Sequence, residues 1–333
     1  MNRMDFSQAV IRVKVLEKRL LSRSKIERMV DAKDMDEVFR ILGETEYQQH
    51  LGLLSRNEDY EKVLYAEQKR IYNLVRELTT EESITKLLAL KYDYHNLKVL
   101  VKEKVSGKSL DNLYVTFGTL DLSKIKTAFL AEEFKDLDEN IGRALEDTLR
   151  TFEKSQDPQD IEIILDRYYY KHLSQMAKET EIPLFIDYVK NMVDFTNLKS
   201  LIRVKKMDKD VRFLEKILLD GGAISIEKIL YSINESLDAI IEKFRKEDIG
   251  KPLVEGLEAF RKTGRLTEFE KITDNDLMRL HEPSRNIIFG PEPLFSYLFA
   301  KEVEIKVLRI VMVSKINKLS PEVIRERLRD LYV

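Results

Sequence analysis

The sequence predicts an all-α protein built from three related helical units. Apolar residues recur at three- and four-residue steps along nearly all of its 333 residues, the spacing of amphipathic helices, and no run alternates as a strand would. Glycine and proline are scarce, 11 and 7, and stand where helices would end: Gly107, Gly221-Gly222, Pro252, Gly264, Pro283 and Gly290-Pro291. A motif on one predicted helix also returns about a hundred residues later, and again near the C-terminus.

Helix starts are readable. Asp157-Pro158 sets a capping carboxylate before a proline suited to the first helical position, and Ser320-Pro321 repeats the arrangement with a hydroxyl. Thr79 or Thr80 is placed to cap the helix carrying Glu81 and Glu82.

The repeat is clearest where Asp93-Tyr94-His95-Asn96-Leu97-Lys98 is laid on Asp194-Phe195-Thr196-Asn197-Leu198-Lys199, an offset of 194 − 93 = 101 residues. A weaker third copy starts at Glu304, with Leu308 and Arg309 in the Leu97 and Lys98 columns, Lys306 opposite His95, and Val307 replacing the Asn. Tyr94, Phe195 and Ile305 share one apolar column; Leu100, Leu201 and Val311 share another; Val101, Ile202 and Met312 a third. Together with Leu97, Leu198 and Leu308 they trace one helix face. Apolar columns alone would describe any core face; the shared acid, Asn and Lys columns make a repeat. A second amphipathic segment recurs as Lys25-Ile26, Lys124-Ile125 and Lys228-Ile229, at offsets of 124 − 25 = 99 and 228 − 124 = 104. The stretch from Ser320 to Leu328 reads as a truncated fourth copy of that segment. Solenoid repeats run about 20 to 50 residues, so this period indicates domain triplication and a pseudo-threefold body. The units are drawn at residues 1–110, 111–212 and 213–333.

Composition narrows function. Hydrophobic residues are 43% and charged residues 35%, enough for a core beneath a highly charged surface. Lys plus Arg number 57 against 59 acids, interleaved as in Arg325-Glu326-Arg327, and the pI is about 6.2, which argues against nucleic-acid binding. Without cysteine there is no disulfide, thiolate nucleophile or Cys-ligated metal, and a reducing cytoplasmic setting fits. No apolar run approaches the roughly 20 residues needed to span a bilayer, so any membrane association is expected to be borrowed.

Candidate chemistry is thin. His50, His95, His172 and His281 are widely spaced, with no i, i+4 pair to hold a metal on one helix face. Glu162 and Asp166 lie four apart and could bind a hard cation or exchange protons, but a solvated face beside Arg167 and Lys171 accounts for them. Gly221-Gly222 lacks the pattern of a phosphate loop and reads as a turn between units. Tyr168-Tyr169-Tyr170 could anchor an interface, with packing inside the middle unit the leading reading. Arg203, Lys205, Lys206, Lys209 and Arg212 form the densest basic segment, a solvated face or a contact for an acidic partner. No catalytic, cofactor-binding or metal residues are assigned; Glu302, Glu304 and Arg309 are read as structural first.

Gly290-Pro291-Glu292-Pro293, Tyr297-Leu298, Lys301-Glu302-Val303-Glu304, Leu308-Arg309, Lys315 and Ile324 to Leu328 resemble the C-terminal signature of the C subunit of V-type and A-type ATPases, the counterpart of the eukaryotic d subunit. Ile11-Arg12, Glu17, Leu20-Leu21, Asp157 to Tyr168, Phe269-Glu270-Lys271 and Asp274-Asn275 are similar to that family too, in the right order. The resemblance implies a funnel of three helical domains about a pseudo-threefold axis, with no cofactor and no catalysis. It implies a central-stalk subunit of a V/A-type rotary ATPase that joins the shaft (subunits of D and F type) to the membrane proteolipid ring. Such a subunit passes torque during ATP-coupled proton or sodium transport, peripherally on the cytoplasmic face. The competing reading is a helical adaptor unrelated to rotary motors.

Overall fold

The computed structural model describes residues 2–333, and among them there are helices and no strand. In chain order the α-helices are α1 (Ser7–Glu17), α2 (Arg23–Asp31), α3 (Met35–Leu42), α4 (Tyr60–Leu78), α5 (Ser83–Ser106), α6 (Leu122–Ala131), α7 (Glu139–Ser155) and α8 (Pro158–Glu179). They continue as α9 (Pro183–Lys206), α10 (Val211–Ile217), α11 (Ile226–Tyr231), α12 (Leu237–Phe244), α13 (Gly250–Thr263), α14 (Leu266–Leu280), α15 (Glu292–Ile316) and α16 (Pro321–Arg327). No helix is long and apolar enough to cross a membrane among the described residues.

Two compact units are formed. One joins the chain up to Thr85 with Thr267–Val333; the other is Lys86–Leu266. In the first, α15 is the central element: α1, α2, α3, α4 and α16 all pack on it. Its core gathers Ile26, Val30, Val38, Leu42, Leu64, Leu308 and Met312, from both ends of the sequence, at 2% exposure or less. Each such side chain contributes on the order of 1.5–3 kcal/mol by leaving water, an upper estimate because unfolded chains already bury part of it. In the second unit, α7 pairs with α8, α8 with α9, α12 with α13, and α9 also receives α10 and α11.

One start falls as the sequence indicates: Asp157 accepts the Gln159 N–H at 2.9 Å with Pro158 in the first turn of α8. Thr79 does not cap a helix carrying Glu81 and Glu82: it ends α4, its Oγ1 accepts the Glu81 N–H at 3.0 Å in the connection, and α5 begins only at Ser83. The Ser320 hydroxyl departs from expectation: it makes no cap bond to the backbone of α16. It sits instead by Glu322, whose carboxylate is held below its usual range by its own backbone N–H and then by this hydroxyl.

Candidate functional site

The three copies of the repeated motif lie on the three longest helices, α5 (24 residues), α9 (24) and α15 (25). In each, the acidic residue is buried and holds the backbone just ahead of a second helix. Asp93 accepts the Thr119 N–H at 2.9 Å and the Leu120 N–H at 3.1 Å, next to Asp121, the N-cap of α6. Asp194 accepts the Ala223 N–H at 2.9 Å and the Ile224 N–H at 3.1 Å, next to Ser225, the N-cap of α11. Glu304 accepts the Leu21 N–H at 2.6 Å, next to Ser22, the N-cap of α2. These amides precede their helices and have no helical partner, and those of Leu21 and Ile224 belong to buried residues, so the carboxylates satisfy a need the local backbone cannot meet.

The Asn column does a matching task. Asn96 receives the Val115 N–H at 2.9 Å and donates to the Val115 carbonyl at 2.8 Å; Asn197 does the same with Leu219, at 2.9 and 2.8 Å. Val115 and Leu219 both stand six residues before their caps (121 − 115 and 225 − 219), so the register is identical. A side-chain amide is suited to this because it offers one acceptor and two donors in a plane, imitating a strand neighbour. Val307, in the third copy, cannot make such a pair.

Glycine makes room for the two aspartates. A Cβ on Gly118 would lie 2.2 Å from Asp93 Oδ1, and one on Gly222 2.0 Å from Asp194 Oδ1. Both glycines stand three residues before their caps, where the third copy has Arg19. Gly221-Gly222 is therefore more than the expected turn: Gly221 takes φ +107° against Ser174, and Gly222 gives the carboxylate access to the backbone.

The third clasp is backed by a buried ionic cluster. Lys301 Nζ lies 2.7 Å from Glu304 and 3.0 Å from Glu67, all at 3% side-chain exposure or less. Arg70 binds Glu67 at 2.8 Å, His50 lies 3.1 Å from Glu67, and Tyr47 donates to Glu304 at 2.8 Å. Burial alone would lower the Lys301 pKa, but the Glu304 and Glu67 carboxylates more than offset it and the ammonium is held above its usual range. For Glu67, burial would raise the pKa, and Arg70 and Lys301 hold it below. Asp194 faces no cation at comparable range among the described residues, and burial pushes it up to about 6 despite its two backbone bonds.

The remaining candidates resolve as framework. Glu162 and Asp166 do not face Arg167 and Lys171: both bind Lys98 of α5 at 2.7 Å, and Glu162 also binds Lys102. Tyr169 packs on the Tyr94 ring at 5.6 Å, Tyr168 bonds Asp147, and Tyr170 reaches Thr196 at 3.3 Å. His95 bonds the Leu113 carbonyl at 2.9 Å at the surface. His281 is buried against Phe299 and bonds Ser296 at 2.9 Å; burial lowers its pKa to about 3. His172, beside Tyr94, is also lowered by burial. Glu302 accepts the Tyr72 hydroxyl at 2.5 Å, and Arg309 pairs with Glu61 at 2.7 Å. No group of three or more His, Asp or Glu side chains is gathered as metal ligands would be, among the described residues.

Residues 9–327, carrying all three clasps, match the family described as ATP synthase (C/AC39) subunit. The chain belongs to that family. It is 25% identical over 315 residues to the C subunit of the V-type sodium ATPase of Enterococcus hirae, covering 94% of each chain. It is 23% identical over 339 residues to the C subunit of the A-type ATP synthase of Methanocaldococcus jannaschii, covering 96% of this chain and 85% of the relative. The corresponding A-type ATP synthase protein of Archaeoglobus fulgidus is 26% identical, with 98% and 97% covered. The family resemblance drawn from scattered sequence segments is thus borne out over nearly the whole chain. Sequence reasoning missed the parts of the clasps that have no repeat partner, Lys301, Glu67 and Arg70, and the role of Gly118. The shared offset of Gly118 and Gly222 from a capping residue was the available signal.

Proposed function

We propose that this chain is a non-catalytic central-stalk subunit of a V/A-type rotary ATPase, seating the rotating shaft on the membrane proteolipid ring and passing torque between them. The observation that carries the reading is the family match across residues 9–327, with relatives named as C subunits of an ATPase or ATP synthase aligned almost end to end. A torque-bearing part must resist shear, and close-packed helix faces do so because protein interiors yield little to compression. Backbone clasps between long helices and the chain beside them add stiffness where loops would otherwise give. We read the chain as a triplicate in which each unit is one long helix with its clasped segment, the third closed by the two ends of the chain. In this reading ATP is turned over by other subunits, and the partners are shaft subunits of the D and F type and the ring, on the cytoplasmic side of the membrane. With 35% charged residues, the contacts are expected to be largely ionic and hydrogen-bonded.

The test is native mass spectrometry of the chain mixed with purified shaft subunits and a detergent-held ring. A complex bridging both, weakening as ionic strength rises, supports the reading. Binding to neither, or binding indifferent to salt, contradicts it.

A further inference from the structure

The basic stretch at the end of α9 takes no part in the clasps, and its five cations divide into two sets. Lys205 reaches the carbonyls of Ile233 and Glu235, the latter at 2.8 Å, and Lys206 reaches the Gly264 carbonyl at 2.9 Å; these two fasten the unit internally. Arg203, Lys209 and Arg212 are exposed, and their side chains bind no carboxylate or carbonyl among the described residues. Of the neighbouring acids, Asp210 caps α10 through the Phe213 N–H at 2.9 Å, and neither Asp208 nor Glu215 forms an ion pair with these three cations among the described residues.

Arg203 lines a groove of about 510 Å³ between α8, α9 and α10, and Lys209 and Arg212 follow close by in the chain. Ile163, Tyr170, Met207, Phe213 and Ile217 line it. Met207 is 51% exposed, and Val211, at the start of α10, is 45% exposed. The acids on its α8 wall, Glu162 and Asp166, are neutralised by Lys98 and Lys102. The groove thus offers apolar surface beside cations that hold no ion pair, an arrangement that complements carboxylates flanking apolar side chains.

We propose that this groove docks an acidic amphipathic α-helix of another protein. Its apolar side chains enter between α8 and α10, and its carboxylates pair with Arg203, Lys209 and Arg212. A helix fits better than an extended strand, because the walls are helices whose backbone groups are bonded internally and present no edge for strand addition. Helix ridges also seat naturally in a groove between helices. Single-stranded nucleic acid is the poorer occupant: Tyr170 and Phe213 are half-buried and offer no open stacking face, and the chain's net charge is −2.

The test uses the full-length chain and a fluorescent designed helical peptide with leucines at i, i+3, i+4 and i+7 and glutamates on its flanks, set against a twin whose glutamates are lysines. By anisotropy the acidic peptide binds at least about tenfold tighter than its twin, and more weakly as salt rises. Arg203→Glu/Lys209→Glu/Arg212→Glu weakens it at least about tenfold with an unchanged circular dichroism spectrum. Met207→Glu, which tests the apolar floor separately, weakens it too. The proposal is overturned if both peptides bind equally, if the charge-reversed variant binds the acidic peptide undiminished, or if oligothymidylate binds more tightly than the acidic peptide.

Discussion

The clasps of α5 and α9 and the clasp of α15 perform one task by different chemistry. The first two join a long helix to chain that follows closely, the Asp93 bond to Thr119 spanning 26 residues and the Asp194 bond to Ala223 spanning 29. The third reaches back over 283 residues, from Glu304 to Leu21. The local clasps use a short aspartate, a glycine that lets it reach the backbone, and an asparagine that ties a second point. The long-range clasp uses a longer carboxylate, so the glycine column can hold Arg19 and the asparagine column Val307. It adds a buried lysine, a tyrosine donor, an arginine donor and a second carboxylate. The difference teaches that the contact between distant parts of the chain is built from mutually dependent charges, so that losing one strands the others, whereas the local contacts rest on fit.

The largest expected effect lies in the charged clasp. Glu304→Ala strands Lys301 with one carboxylate and leaves the Leu21 amide unmatched, so it should cost about 3–5 kcal/mol in denaturant unfolding. A loss below about 1 kcal/mol would mean that the cluster is solvated and the comparison fails. Next come Gly118→Ala and Gly222→Ala, each expected to cost about 2–4 kcal/mol because the new methyl displaces a carboxylate from backbone donors. Arg19→Ala at the equivalent position should stay within about 1 kcal/mol, since its visible partner is the half-exposed Glu46. Equal costs at the three positions would refute the register between them.

Titration sharpens the contrast. Asp194 is raised in the folded state, so the native protein holds this proton more tightly than the unfolded chain does. The stability it contributes is complete below the unfolded carboxyl value near 4 and is lost as pH rises through about 6. Asp194→Asn removes that titration, so the gap between wild type and variant should narrow from pH 4 to pH 7, by up to about 3 kcal/mol, in urea melts at the two values. A gap that widens instead would place the ionised clasp as the favoured form. Asn96→Ala and Asn197→Ala should each cost about 1–3 kcal/mol for an orphaned N–H and carbonyl, while Val307→Ala should behave as an ordinary cavity mutation without loss of a backbone bond.

Much of this was legible in the residues. Periodicity gave the helices, and the recurrence of acid, Asn and Lys beside apolar columns marked the helices that carry the clasps, because those polar positions have no reason to recur on a plain core face. What stayed hidden had physical causes. The Glu304 bond joins segments with no local relation, so no spacing rule reaches it. Lys301 and Glu67 have no counterparts in the other copies. Glu162 and Asp166 looked outward on the surface of their own helix, yet their cations belong to α5, a tertiary choice that helix-surface rules do not contain. Ser320 showed a cap signature, but its hydroxyl bonds a side chain instead, a competition open to any serine at a helix start.

The central claim is that three buried carboxylates fasten the backbone ahead of three short helices. Native-state hydrogen exchange at the amides of Leu21, Thr119, Leu120, Ala223 and Ile224 tests it most directly, because these residues precede their helices and have no helical partner to protect them. The account predicts protection comparable to the cores of α5, α9 and α15, lost preferentially at Leu21 in Glu304→Ala and at Ala223 and Ile224 in Asp194→Ala. Exchange at these amides as fast as in exposed loops of the wild-type protein would contradict it.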